Sequence, residues 1–301
     1  MSDDDDFHPD LRRVARWLPR AAVSPRTLVP VRLLAGLQAK WPTKGVEVRS
    51  VAATSVRMHR PPAMVEPTPA LLWIHGGGYV MGTAVQDDAV CRHFARELGI
   101  LVIAVDYRLA PEHPFPTPLH DCYDALTWLA GRPDVDPNRI AVGGASAGGG
   151  LAAALALLAH QRGEVSLAFQ LLAYPMLDDR TTTRVGVDER HFRMWNTKAN
   201  RFGWQSYLGR PPGGSQVDGL AAPARLADLA PLPPAWVGVG TFDLFHDEDV
   251  AYADRLVAAG VKCELDEVKG GFHGFDLVLP KAGVSRDFRS AQVAALADAL
   301  R

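Results

Sequence analysis

Ser146 sits in the run Gly143-Gly144-Ala145-Ser146-Ala147-Gly148-Gly149, and no other serine of the chain has glycine two residues away on both sides. A serine hydroxyl attacks an acyl carbon when a base takes its proton and a carboxylate orients that base. The apolar run Ile140-Ala141-Val142 before it reads as a strand, and the alanine-rich stretch 151–158 after it reads as a helix. A serine so spaced between strand and helix forms a nucleophile elbow. The tight turn pushes the hydroxyl out of the sheet, and glycine at both flanks leaves room for strand and helix to approach. The helix N-terminus also aims unbonded N–H groups at the space beside the hydroxyl. A second glycine cluster, His75-Gly76-Gly77-Gly78-Tyr79, follows the apolar run Ala70-Leu71-Leu72-Trp73-Ile74, an expected buried strand. Acyl transfer passes through an oxyanion, and preorganised N–H donors stabilise it by a few kcal/mol. Three consecutive glycines offer such donors with no side chain in the way.

These two motifs and three further segments resemble the hormone-sensitive-lipase-like (bacterial family IV) carboxylesterases of the α/β-hydrolase fold. The segment Asp106-Tyr107-Arg108-Leu109-Ala110-Pro111-Glu112-His113-Pro114-Phe115-Pro116 is similar to one family motif. Gly240-Thr241-Phe242-Asp243-Leu244-Phe245-His246-Asp247-Glu248 is similar to the strand-then-acid motif, with Leu244 where the family usually has proline. Gly271-Phe272-His273-Gly274-Phe275 is similar to the loop that carries the family's histidine. The resemblance implies a mostly parallel central sheet with helices on both faces and a helical cap. It implies a small-molecule ester as substrate, and an oxyanion hole built from the N–H groups of Gly77, Gly78 and Ala147. His75, Asp106 and Glu112 are expected to hold the oxyanion loop and its neighbour rather than to do chemistry. Ala145 stands where the family's elbow commonly has aspartate, which bears on a supporting contact and not on the nucleophile.

The base and the acid can be argued from the residues. The order expected along an α/β-hydrolase chain is Ser, then Asp or Glu, then His. After Ser146 the histidines are His160, His191, His246 and His273. His160 falls at the end of the elbow helix, His191 in a polar arginine-rich stretch where solvation is expected, and His246 among carboxylates suited to a surface ion pair. His273, bracketed by glycines and phenylalanines beyond the last expected strand, suits the base. Asp243 is the first carboxylate after the expected strand at 235–239, and catalytic groups gather at the carboxyl ends of parallel strands. Asp247 is the fallback, because it and Asp249 fall where acidic residues often serve only as helix N-terminal charges. A metal site from His246, Asp247 and Glu248 is disfavoured, since sequence neighbours rarely point at one ion. Neither a metal nor a cofactor is expected. An amidase using the same triad and a non-catalytic small-molecule receptor on the same fold are the alternative readings.

The elements that must position these residues alternate. Leu101-Val102-Ile103-Ala104-Val105 is apolar throughout, as a strand buried on both faces requires. Val46–Val51, 55–59 and 167–172 are further expected strands. Leu119, Cys122, Tyr123, Leu126, Leu129 and Ala130 fall at helical spacing, as do Val90, Phe94 and Leu98. Val261, Cys263 and Leu265 alternate with Lys262, Glu264 and Asp266, the mark of a half-exposed strand near the sheet edge. Residues 46–177 and 217–301 thus read as two parts of one α/β core. Residues 1–45, with an amphipathic segment (Leu11, Val14, Ala15, Leu18) and the apolar run 31–37, read as an N-terminal cap segment. Residues 178–216, rich in arginine and in aromatics such as Phe192, Trp195, Phe202, Trp204 and Tyr207, read as a cap insertion.

At 301 residues with 48% hydrophobic and 22% charged content, the chain can bury a large core without disulfides. A net charge of −2 gives no reason to expect a nucleic acid or an anionic membrane as a partner. Three cysteines leave an odd thiol and suit a reduced compartment. The acidic start, Met1-Ser2-Asp3-Asp4-Asp5-Asp6, is unlike a basic signal peptide and is expected to be a disordered tip. With no apolar run long enough to span a membrane, the expectation is a cytoplasmic protein, with homodimerisation open.

Overall fold

In the computed structural model, residues 6–39 and 43–301 are described; the expected acidic tip therefore lies almost wholly outside the described residues. Eight strands form one sheet: β1 (Val46–Val51), β2 (Thr54–His59), β3 (Thr68–Ile74), β4 (Leu101–Val105), β5 (Val135–Ala145), β6 (Phe169–Ala173), β7 (Ala235–Phe242) and β8 (Cys263–Phe272). Their order across the sheet is β1-β2-β4-β3-β5-β6-β7-β8. β1 and β2 pair antiparallel with each other, and β2 pairs antiparallel with β4. The pairings from β4 to β8 are all parallel. The alternating Cys263 strand is indeed at the edge, and the strand expected at 167–172 runs Phe169–Ala173.

Side chains along each central strand alternate between two faces, and each face has its own core. Leu72, Ile74, Ile103, Val142, Leu172 and Val237 face a layer made by α4 (Thr117–Ala130), α5 (Ala147–Arg162) and α7 (His246–Ala258). Leu71, Trp73, Val102, Ala141, Leu171 and Trp236 face α3 (Asp88–Leu98) and α9 (Gly283–Ala299). A strand apolar at every position is needed when both faces are covered. α5 is buried over most of its length by alanine and leucine. Small alanines let it lie close to the sheet, which holds its N-terminus against the end of β5.

The chain reverses its direction of travel across the sheet between β3 and β5, which are neighbours. At such a switch point the two strand ends open a crevice at their carboxyl edge. The loop 75–79 leaves β3 there, and Ser146 leaves β5. The N-terminal segment with α1 (Arg12–Ala15) and α2 (Leu28–Ala39) reaches the same edge. So does the 178–216 stretch, which contains α6 (Thr197–Leu208). Ala22 N–H donates to Met194 O and Met194 N–H to Pro19 O, tying the two segments together. A short helix, α8 (Phe275–Val278), follows β8. No helix among the described residues is long and apolar enough to cross a membrane.

Candidate active site

Ser146 occupies the left-handed side of the backbone map, with φ 57° and ψ −122°. A non-glycine residue is held there only by its surroundings. Ser146 N–H donates to Ala173 O, while Ser146 O accepts from Gly150 N–H and Met176 N–H. The flanking glycines are required by contact: a Cβ on Gly148 would stand 2.0 Å from Ile74 O, and one on Gly144 2.4 Å from Gly148 O. The strand-to-helix turn therefore packs its own backbone against β3.

His273 follows β8, and its Nε2 lies 3.0 Å from Ser146 Oγ. Its Nδ1 lies 2.7 Å from Asp243 Oδ2, just past β7. Asp243 Oδ1 accepts from Phe245 N–H, which fixes the carboxylate's orientation. With Nδ1–H donated to the carboxylate, Nε2 is left as the acceptor facing the serine hydroxyl. All three residues are buried. The rings of Tyr174 and Phe245 meet the His273 imidazole edge-on, at 5.0 and 5.2 Å between centroids. The fallback Asp247 is elsewhere: it is exposed and pairs with Arg184 and His246. Among the other histidines, His160 is exposed at the end of α5 and His246 pairs with Asp247 and Glu267. His191 departs from the expected solvation. It stacks on Phe242 at 4.2 Å and meets the edge of Phe7, because the N-terminal segment folds back over it.

The loop after β3 is held rigidly beside this group. His75 is buried, and burial pushes its pKa down, so the ring is neutral. It stacks on Tyr107, whose hydroxyl donates to His75 O, and its Nδ1 bonds Gly76 O. Asp106 accepts from Ala84 N–H just downstream of the loop. Glu112 does not touch the loop; it pairs with Arg32, whose Nε donates to Val80 O. Gly77 and Gly78 have φ of 127° and 60°, and a Cβ on Gly78 would stand 2.1 Å from the Trp195 ring. Among the described hydrogen bonds none uses the N–H of Gly77, Gly78 or Ala147.

Above Ser146 lies a cavity of about 290 Å³, lined by Ser146, His273, Gly76–78, Ala145 and Tyr174. Its outer walls are Ala22, Val31 and Ala35 from the N-terminal segment, Met194 and Trp195 from the 178–216 stretch, and Leu277 and Val278 of α8. Gln86 is the one uncharged amide on the wall. No group of three or more His, Cys, Asp or Glu among the described residues is placed to hold a metal ion.

Residues 71–277 match the family model described as alpha/beta hydrolase fold. The chain belongs to that family. Within it, the chain is one of the hormone-sensitive-lipase-like carboxylesterases. It is 37% identical to carboxylesterase NlhH of Mycobacterium tuberculosis over 84% of this chain and 81% of the relative. It is 36% identical to an ethyl acetate hydrolase of Pseudomonas putida, over 73% of this chain and 70% of that protein. The solved structure of a bacterial heroin esterase superposes with a TM-score of 0.89 at 38% identity, covering 100% of both chains.

Sequence reasoning named Ser146, Asp243 and His273, and the fold brings them together. It did not name Val31, Ala35, Leu277 or Val278 as walls of the carboxylesterase cavity. Apolar residues on a helix face carry no mark that separates a pocket wall from core. Of the aromatics singled out, Trp195 faces the cavity, whereas Trp204 is fully buried against Tyr79 and Tyr207.

Proposed function

We propose that the chain hydrolyses short- to medium-chain acyl esters through an acyl-enzyme on Ser146. The observation that carries this reading is the relay Ser146 Oγ–His273 Nε2–Asp243, at 3.0 and 2.7 Å, on the floor of an apolar cavity. Ser146 attacks the ester carbonyl as His273 Nε2 accepts its proton, and Asp243 stabilises the imidazolium that forms. The N–H groups of Gly77, Gly78 and Ala147 receive the oxyanion, each a fixed dipole aimed at the charge that develops. His273 then protonates the leaving alcohol. Water, activated by the same base, attacks the acyl-enzyme, and a second collapse frees Ser146. The acyl chain lies among Met194, Trp195, Leu277 and Val278, and residues 1–45 and 178–216 act together as the cap over the site.

A fluorophosphonate probe, followed by peptide mapping, tests the nucleophile: labelling is expected on Ser146 and absent from Ser146→Ala. A panel of p-nitrophenyl esters, run beside a matched anilide, tests the reaction class. Anilide turnover equal to ester turnover would make the enzyme an amidase. Turnover in Ser146→Ala equal to wild type would remove Ser146 from the mechanism.

A further inference from the structure

From Leu11 to Ala39 the chain carries six arginines and no carboxylate, although the whole chain has a net charge of −2. Within that stretch α2 has Arg32 and Gln38 as its only polar residues. Leu28 is buried in the core, and Val31 and Ala35 line the catalytic cavity. Arg32 anchors the helix to Val80 O and Glu112. The remaining face is left in water: Val29 is 65% exposed, Leu33 65%, Leu34 63% and Leu37 58%. Trp17, earlier in the same stretch, is 87% exposed. A helix apolar all round is normally covered. Here the outer face is bare, and Arg13, Arg20 and Arg26, earlier in the same stretch of chain, are exposed as well.

Charge decides what would cover it. Symmetric pairing of two copies places the same patch on both sides of the contact, and would bring this carboxylate-free stretch against itself. An anionic lipid surface offers an apolar phase for the leucines, a headgroup layer for the amphipathic Trp17, and phosphates for the arginines. We propose that α2 and the arginine-rich stretch before it dock the enzyme on an anionic lipid surface. Because α2 is also a wall of the cavity, docking places the cavity wall at the phase where apolar esters concentrate. Docking itself needs no turnover, so it stands or falls separately from the esterase reading.

The test is co-sedimentation of the full-length protein with sucrose-loaded vesicles of phosphatidylcholine, with and without phosphatidylglycerol. Binding is expected with the anionic vesicles, weaker with phosphatidylcholine alone, and lower in high salt as screening grows. Leu33→Ser/Leu34→Ser should weaken it by about 10- to 100-fold. Arg20→Gln/Arg26→Gln should weaken it by about tenfold. Both should leave turnover of a soluble p-nitrophenyl ester unchanged. Trp17→Ser, outside α2, keeps the test open if the leucine variant melts early, and should also weaken binding. Absence of binding to anionic vesicles, or binding that none of these substitutions weakens, overturns the proposal. So does sedimentation velocity showing a wild-type dimer that Leu33→Ser/Leu34→Ser converts to monomer, without vesicle binding, since the face would then belong to a second copy.

Discussion

Asp243 and Asp247 lie four residues apart, yet their surroundings differ. Asp243 is buried on His273 Nδ1, and Asp247 is exposed between Arg184 and His246. Asp243→Asn should keep the fold and lower kcat by about 10⁴-fold, because an amide permits the wrong imidazole tautomer. Asp247→Asn removes only exposed ion pairs, which contribute little, and should stay within about twofold. Steady-state kinetics of the two variants decides the matter: a dead Asp247→Asn beside a live Asp243→Asn would reverse the assignment. Ser146→Ala and His273→Ala should each lose most of kcat, and the double variant should be scarcely worse, since the two act as one unit. This much was legible in the residues because glycine spacing and chain order are local marks. Asp249 was not legible. It reads as a helix-end charge, yet it is fully buried, with no hydrogen-bond partner for either side-chain oxygen among the described residues, and burial raises its pKa well above the ordinary carboxylate range. Its neighbour Glu248 turns inward as well and accepts from the N–H groups of Leu177 and Asp178. Which side of a helix start meets the core depends on a docking angle that the sequence does not print.

The elements that carry the site are fixed to each other by contacts that admit few replacements. At the elbow, Gly148→Ala would drive a Cβ to within 2.0 Å of the Ile74 carbonyl, which is backbone and cannot swing aside. Overpacking of this kind costs roughly 1–3 kcal/mol, so the melting temperature should fall by about 2–5 °C and activity should fall with it; an unchanged melt and rate would mean the turn is looser than its geometry. A second tie joins the start of α3 to β3. Asp87 is buried, its Oδ2 accepts from Trp73 Nε1, and its other oxygen has no partner among the described residues. Burial, reinforced by Asp276, raises its pKa from 3.8 to about 7. A carboxyl that holds its proton more tightly when folded stabilises fully below its unfolded pKa. That contribution fades as pH rises from about 4 to about 7, because the unfolded chain gives up its proton first. Asp87→Asn keeps an acceptor for Trp73 and never ionises. Its melting temperature should therefore exceed wild type at pH ~8 and lose that advantage at pH ~4. An equal difference at both pH values would remove Asp87 from the pH dependence. The strands themselves were legible from composition, since fully apolar runs and one alternating run separate central strands from the edge. The pairing of β2 with β4, and so the position of β3 beside β5, was not, because order across a sheet is set by crossovers rather than by any strand's own residues.

At the scale of the whole molecule, the cavity belongs to no single element: three segments distant in sequence close over one sheet edge. That is why its walls were only partly legible: Trp195, Val31 and Ala35 fell inside segments expected to reach the site without being marked as wall residues, and Leu277 was overlooked. The closure sets the last prediction, which concerns acyl chain length. The cavity is about 290 Å³ with walls that are mostly apolar. Trp195 lies tightly against Gly78 on one side, and its ring centroid is 6.2 Å from that of His273. Each methylene that finds apolar wall stabilises the bound ester by about 0.8 kcal/mol, so kcat/KM should climb over the first few carbons. Once the space is filled, a further methylene must displace packed side chains at roughly 1–3 kcal/mol, which exceeds the gain, and the profile should turn over below about C8. Trp195→Ala removes the largest of the wall side chains and should move the maximum to longer chains while lowering activity on acetate. The measurement is kcat/KM across p-nitrophenyl esters from acetate to palmitate for both proteins. A wild-type profile still rising at the palmitate end would mean that the wall yields to substrate, and an unmoved maximum in Trp195→Ala would mean that another side chain sets the limit.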